Sequence, residues 1–453
     1  MAEQILHNIT TEMSVQKATS YRWRICALLF FSVVIHYIDR QALSQAVVDE
    51  SFLKDTGLMG SDGKLNKELY GYLDASFKIA FMIGFLLMGN FLDRIGTKKG
   101  FSLAILTWSF GGMGQAIAGS FTGLSITRFV LGIGEAGNFP ASIKTVAEWF
   151  PRKERSLATG IFNTGSNVGI MIAPFFMLFF VTWFSWRIAF LAAGLLGLIW
   201  IIFWWKMYSK PEDHPNVNAA ELALIESEPS EPEVKISWLQ LFKLRQTWAF
   251  ALGKFFTDPA WFLYLIWLPT FFKEEHNIDL KAMVLPMMVI YIISAFGSIG
   301  GGWLSSRLLN KGWHLNKARK TTFFLCALCA VPAYFASVTA DLWIAIPIIG
   351  IATAAHAGFS ANLFTLVSDT FPKQAIASVV GIGGTFGAIG GVIISALSGV
   401  VYQQFGPAPL FVYGSLAYLI ALGIIHGFNP NLTAVPSSVI ESKSTKDGLI
   451  TPS

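Results

Sequence analysis

Charge is what this chain has least of. Only 13% of its 453 residues are Asp, Glu, Lys or Arg, about half the share found in soluble domains, which excludes a protein with an ordinary solvated surface. Cysteine is almost as scarce. Cys26, Cys326 and Cys329 leave no disulfide framework, and Cys326-x-x-Cys329 lies in an apolar run with no histidine beside it, so neither a metal centre nor a redox pair is expected. The first 20 residues have no apolar core, which argues against a cleavable signal. Gly132-x-Gly134-x-x-Gly137 spells a dinucleotide fingerprint, but it follows no strand and opens no soluble helix. It reads instead as small-residue packing of a membrane helix. With no nucleotide loop, no ligand cluster and no nucleophile paired with a base, the chain is expected to be no enzyme and to carry no cofactor. Its net charge of +5 is dispersed over loops, which gives no case for nucleic acid.

Apolar length is what the chain has in abundance. Residues are 53% hydrophobic, and runs of about 20 recur along nearly the whole length, enough for about twelve spanning helices. The expectation is an all-α integral membrane protein. Lys and Arg concentrate in alternate loops: Arg22 and Arg24, then Arg94, Lys98 and Lys99, then Arg152, Lys153 and Arg155, then residues 206–245, then Arg307 to Lys320. The remaining loops are uncharged or net acidic (49–68 and 273–281), so both termini are expected on the cytoplasmic side.

A Pro-, Glu- and Ser-rich segment, 208–244, is read as a cytoplasmic linker with one short helix at AAELALIES. It divides the chain into a tail (1–22), a six-helix bundle (23–207), the linker, a second six-helix bundle (245–428) and a tail (429–453). The bundles look like repeats. Phe150-Pro151 followed by Gly160 matches Phe371-Pro372 followed by Gly381 at an offset of 221 residues. Gly89-x-x-x-Asp93-Arg94 matches Gly302-x-x-x-Ser306-Arg307 at an offset of 213. The same shifts align Glu135-Ala-Gly137 with His356-Ala-Gly358, bring Lys78 close to Tyr291, and bring Asp39-Arg40 close to Lys254 and Asp258.

Those aligned residues are the ones that interrupt the spans. Asp39, Arg40, Lys78, Arg128, Glu135, Lys254, Asp258 and His356 all sit in apolar stretches. Facing lipid, they would cost on the order of 15–20 kcal/mol. They are expected to line a polar interior between pseudo-symmetric halves, carrying both signs, as in a carrier for a charged solute.

Several segments carry a resemblance. Gly89-x-x-x-Asp93-Arg94-x-Gly96-x-Lys98-Lys99 resembles the signature loop of the major facilitator superfamily. Tyr37-Ile-Asp39-Arg40, the run from Arg128 to Gly137, and Glu148-Trp149-Phe150-Pro151 with Glu154-Arg155 resemble its anion:cation symporters. Thr257-Asp258-Pro259-Ala-Trp261 and the run from Ala355 to Thr365 look like the bacterial hexuronate (glucuronate/galacturonate) transporters. The resemblance implies the twelve-helix fold and uptake of a sugar-acid anion coupled to protons, in the bacterial inner membrane, by a monomer. Another organic anion (an aldonate, sialate or dicarboxylate), or exchange of organic phosphates, is the alternative. A solute sensor or a membrane enzyme is the reading from a different class.

Residue roles follow with their alternatives. Arg40 is expected to meet the solute carboxylate with its planar fork, and Asp39 to take up a proton; otherwise Arg40 pairs with an acid on another helix. Glu135, among glycines that exclude water and so penalise a carboxylate, is the first candidate for the proton carrier. Arg128, two turns away, is grouped with it, and a permanent ion pair is the alternative. Lys78 and Lys254 are candidate anion contacts. Each also has an acid at i,i+4 spacing, Asp74 and Asp258, able to neutralise it. His356 and Asn362, with Tyr72, Asn163, Trp261, Tyr264 and Tyr291, are candidates for hydrogen bonding and stacking to a sugar ring. Asp93, Arg94, Glu154 and Arg155 are the candidate gate, with charge-directed topology as the alternative.

Overall fold

A computed structural model describes residues 18–47, 49–61, 63, 65–227, 238–276 and 284–436. The tail residues 1–17 and 437–453, linker residues 228–237 and loop residues 277–283 lie outside that set. Among the described residues the chain is helical throughout: α1 (Tyr21–Ala46), α2 (Glu50–Thr56), α3 (Lys67–Ile95), α4 (Thr97–Gln115), α5 (Phe121–Glu135), α6 (Asn138–Trp149), α7 (Arg152–Trp183), α8 (Trp186–Met207), α9 (Ala219–Ile225), α10 (Trp238–Leu241), α11 (Arg245–His276), α12 (Val284–Asn310), α13 (Leu315–Ala330), α14 (Ala333–Ala336), α15 (Leu342–Thr370), α16 (Ile376–Phe405) and α17 (Ala408–Phe428). The linker helix expected at AAELALIES is α9.

By length and apolar composition, eight of these helices are able to cross a membrane. Four expected spans miss that measure for local reasons. The fourth is split into α5 and α6 at Ala136-Gly137, α11 carries Lys254 and Asp258, α13 is only 16 residues long, and α4 is diluted by glycines and by Lys98 and Lys99.

Local chemistry sets the turns. Ser120 and Ser185 cap α5 and α8 by accepting the backbone N–H of Gly123 (3.2 Å) and Ile188 (3.4 Å), satisfying donors that a helix start leaves open. The turn from α3 to α4 is a single residue, Gly96, at φ 84°, a conformation that costs a side chain but not glycine. The two Phe-Pro pairs share one backbone path: Pro151 at φ −65°, ψ 153° and Pro372 at φ −63°, ψ 151°. Proline ends one helix and starts the next in both repeats.

Four of the glycines that the repeat alignment pairs lie where the two helix sets touch, whereas Gly137 and Gly358 pack within their own sets. A Cβ on Gly89 of α3 would lie 2.4 Å from the Ala377 carbonyl oxygen of α16, and one on Gly381 of α16 would lie 2.2 Å from the Phe85 oxygen of α3. Gly160 of α7 meets the Ser298 oxygen of α12 at 2.4 Å, and Gly302 of α12 meets the Ser156 oxygen of α7 at 2.3 Å, on the same construction. Both junctions are backbone against backbone, so neither has a flexible side chain to give way. Hydrogen bonds across them seal the face that bears the basic loops. The backbone N–H of Ser378 donates to Asp93 (2.7 Å), Arg155 Nη1 to the Ser368 carbonyl (2.7 Å), and Ser156 Oγ to Asn362 Oδ1 (2.8 Å).

Gly89→Val is therefore expected to prise this face open. Overpacking costs about 1–3 kcal/mol, enough to shift a two-state balance roughly 5- to 150-fold. A cysteine placed at Ser378, buried in the closed form, should react with a water-soluble maleimide in the Gly89→Val background and stay protected without it. Equal protection in both would mean that the junction tolerates the side chain.

Candidate functional site

α1 turns two charged faces in different directions. His36 and Arg40, one turn apart, face α5, where Arg40 Nε donates to Glu135 Oε2 at 2.9 Å. His36 Nε2 lies 3.1 Å from that same oxygen and 3.1 Å from Arg40 Nη2. Glu135 and His36 are fully buried, and Glu135 Oε1 and His36 Nδ1 have no hydrogen-bond partner. Asp39 faces the other way, with Oδ1 3.3 Å from where a Cβ on Gly112 of α4 would lie, and Oδ2 unpartnered. Adjacent residues on a helix point about 100° apart, so one reaches the cluster and the other packs behind it.

Arg40 also stands in the shared wall of two adjoining chambers. The inner one, about 160 Å³, is lined from both helix sets by Tyr37, Arg40, Asn163, Asn167, Lys254 and Trp261, with His356, Ser360 and several aromatic rings completing it. The outer one, about 330 Å³, adds Tyr70, Asp74, Phe77, Lys78 and Arg128. Arg40 lies over Phe81 at 4.4 Å and Phe77 at 5.3 Å, holding the cation among ring faces. Lys254 Nζ is 2.7 Å from Asp258 and 4.4 Å from the Phe364 centroid; Lys78 Nζ is 2.7 Å from Asp74. Both i,i+4 pairs form, and both lysines still line a chamber. His356 stacks on Trp261 with centroids 5.0 Å apart and planes at 10°, and its Nδ1 lies 3.0 Å from the Tyr418 hydroxyl. One ring edge is thereby fixed, leaving the stacked pair as a flat wall of the inner chamber.

Other sequence candidates stand elsewhere. Asn163 is in the inner wall, but its Nδ2 already donates to Ser298 Oγ at 3.1 Å. Asn362 is buried outside the chambers, where its Nδ2 donates to the carbonyls of Gly301 (3.0 Å) and Gly358 (2.9 Å). Its amide joins helices here and faces neither chamber. Tyr291 backs Trp261 edge-on at 6.3 Å, Tyr264 is buried against Gly414 of α17, and Tyr72 is exposed; none of the three lines either chamber. Among the gate candidates, Asp93 accepts from Lys144 Nζ (2.8 Å) as well as from Ser378, and Arg155 crosses to Ser368. Glu154 instead pairs with Arg22 of α1 (2.7 Å), within its own helix set, and Arg94 is exposed.

Gln41, Ser166 and Asn167 line the inner chamber without any place among the expected site residues, and Tyr37 and Ser360, which belong to the motifs that carry the resemblance, line it as well. Asn163, Ser166 and Asn167 fall at i, i+3 and i+4, one face of α7, and that polar stripe was readable.

The sequence pattern of the Major Facilitator Superfamily matches residues 29–395. The chain belongs to the major facilitator superfamily. It is thus a multi-pass membrane transporter and not an enzyme. Similar relatives include the hexuronate transporter of Escherichia coli (strain K12), 29% identical over 405 residues, covering 88% of this chain and 91% of that one. The galacturonate transporter of Dickeya chrysanthemi is 30% identical over 322 residues, covering 70% of this chain and 90% of that one. Among solved structures, the proton:xylose symporter XylE bound to 6-bromo-6-deoxy-D-glucose superposes with a TM-score of 0.74 at 15% identity, covering 93% of this chain and 98% of that one. The superfamily fold is common to both chains.

Proposed function

We propose that this transporter takes up a sugar-acid anion, a hexuronate such as glucuronate or galacturonate, together with protons. The observation that carries the reading is Arg40: one guanidinium that both lines the chambers and is held by the buried Glu135. A carboxylate entering the cavity competes with Glu135 for that cation. Protonating Glu135 removes the competitor, so proton and anion favour each other's binding, as symport requires. His36 adds a switch. Its Nε2 donates to an ionised Glu135, or accepts from Arg40 or from a protonated Glu135, and cannot donate and accept at once. The relatives named for hexuronate and galacturonate support the substrate class. Trp261 stacked on His356 offers a face to a sugar ring, and Asn167, whose Oδ1 is buried without a partner, offers an acceptor to its hydroxyls.

In this reading twelve spans form two six-helix bundles (23–207 and 245–428) joined by the 208–244 linker, with both termini in the cytoplasm of a bacterial inner membrane. The carrier works as a monomer. Alternating access is the rocking of one bundle on the other. The sealed junctions of Asp93 with Ser378 and Arg155 with Ser368 form the closed cytoplasmic gate, and the outer chamber opens to the opposite side. Energy comes from the proton gradient, about 1.4 kcal/mol per proton for each pH unit, together with the membrane potential.

Counterflow in liposomes tests the reading. Vesicles loaded with unlabelled glucuronate should transiently accumulate labelled glucuronate, and an imposed inward proton gradient should drive net uptake from empty vesicles. Counterflow without gradient-driven uptake would leave a uniporter or exchanger; neither signal with any sugar acid would end the proposal.

A further inference from the structure

Among the described residues, no group lies at hydrogen-bond distance from two of the donors of one cation in the outer chamber. Arg128 is 3% exposed, and its Nε and Nη1 are buried without a hydrogen-bond partner. A buried guanidinium without a partner is costly. Of the acids near it, Asp74 is bonded to Lys78 at 2.7 Å and Glu135 to Arg40 and His36 through Oε2, while Asp39 and Glu135 act on it only through space, without a hydrogen bond to it. Tyr70 faces it as a neutral phenol, and Arg40 has the same sign. Around the chamber of about 330 Å³, Lys78 is paired with Asp74 and Arg40 with Glu135, and among the described residues Arg128 is the cation of this wall with no ion pair at that distance. Phe77 stands between the two arginines, its centroid 5.3 Å from the Arg40 guanidinium carbon and 4.5 Å from that of Arg128.

We propose that the outer chamber is a second anion-binding subsite, where Arg128, with Lys78 beside it, receives a carboxylate one aromatic ring away from the carboxylate that Arg40 faces. The proposal rests on the sugar-acid reading above. A guanidinium with free donors offers a carboxylate the bidentate geometry that neither lysine provides. A hexuronate, with one carboxylate, occupies the two subsites in turn on its way inward. A six-carbon chain with a carboxylate at each end engages both together.

Glucarate and glucuronate are therefore the probes, titrated calorimetrically into the purified full-length chain at one pH and ionic strength. The parent chain is expected to bind glucarate about tenfold or more tightly than glucuronate, the worth of one charge-assisted contact. Arg128→Gln should bring that ratio close to one, and Arg128→Lys should restore part of it. If Arg128→Gln does not fold, Lys78→Gln carries the test, because it removes a cation from the same wall and should lower the ratio severalfold. A ratio near one in the parent chain, or one that survives Arg128→Gln or Lys78→Gln while both affinities fall together, overturns the subsite and leaves Arg128 acting through Glu135. A parent chain that binds neither probe overturns the sugar-acid reading itself, an outcome told apart by the absence of any glucuronate isotherm.

Discussion

Arg40→Ala is expected to abolish glucuronate binding while the chain still folds and inserts. Two costs combine in this variant. The solute carboxylate enters a cavity of low dielectric without its fork, and Glu135 loses the closest cation that now compensates it at 2.9 Å. Truncating one side of a buried charge pair costs about 2–5 kcal/mol, which is roughly thirtyfold to several thousandfold in affinity. The second cost falls on folding, and His36, still 3.1 Å from Glu135 Oε2, limits it. Arg40→Lys separates charge from shape. A lysine keeps the cation but not two parallel donors, so it should recover part of the affinity and little of the discrimination between a carboxylate and a sugar hydroxyl. Calorimetry with glucuronate, checked by thermal unfolding of each variant, reads both. Unaltered affinity in Arg40→Ala would remove Arg40 from the site.

Arg40 also shows how far the sequence alone reaches. Its charge in an apolar run was enough to demand a polar interior, and the repeat offsets brought Glu135 and His356 into equivalent places. The offsets reached further than expected: Gly89, Gly160, Gly302 and Gly381 all sit where backbones of the two helix sets meet, while the equally repeated Gly137 and Gly358 pack inside their own sets. Small residues recur there because the close approach is itself repeated. Side-chain direction was not readable in the same way. A helix apolar on most of its faces has no polar stripe from which to read its inward side: adjacency keeps Asp39 and Arg40 from facing one spot but does not say which of them reaches Glu135, and it is Arg40. Asn362, beside His356 in sequence terms, turns out to tie α15 to α7 and α12. Eight helices rather than twelve meet the length and hydropathy measure for a related reason. α5 is too short because its span is broken at Ala136-Gly137, and Lys254 and Asp258 lower the hydropathy of α11, so two of the helices that bear site residues are among those that miss the measure.

Glu135→Gln is the variant expected to separate binding from energy coupling. Glutamine keeps the length of the side chain and can still accept the Arg40 Nε–H through its amide oxygen, but it neither ionises nor carries an exchangeable proton charge. Arg40 is then permanently free of its competitor, as it would be with a protonated glutamate. Glucuronate binding should persist and become less dependent on pH, and counterflow should continue, because exchange needs only the loaded carrier to reorient. Accumulation driven by a pH gradient should fall to the level reached without one. The loss is large because a tenfold gradient contributes about 1.4 kcal/mol for each proton coupled, and no neighbour replaces the site: Asp39 packs on α4, away from Arg40. Paired measurements on one liposome preparation, counterflow and gradient-driven uptake, decide it. If Glu135→Gln concentrates glucuronate as well as the parent chain, the coupling proton resides elsewhere, and Asp39→Asn, a buried acid with an unpartnered oxygen, becomes the variant that should lose accumulation instead.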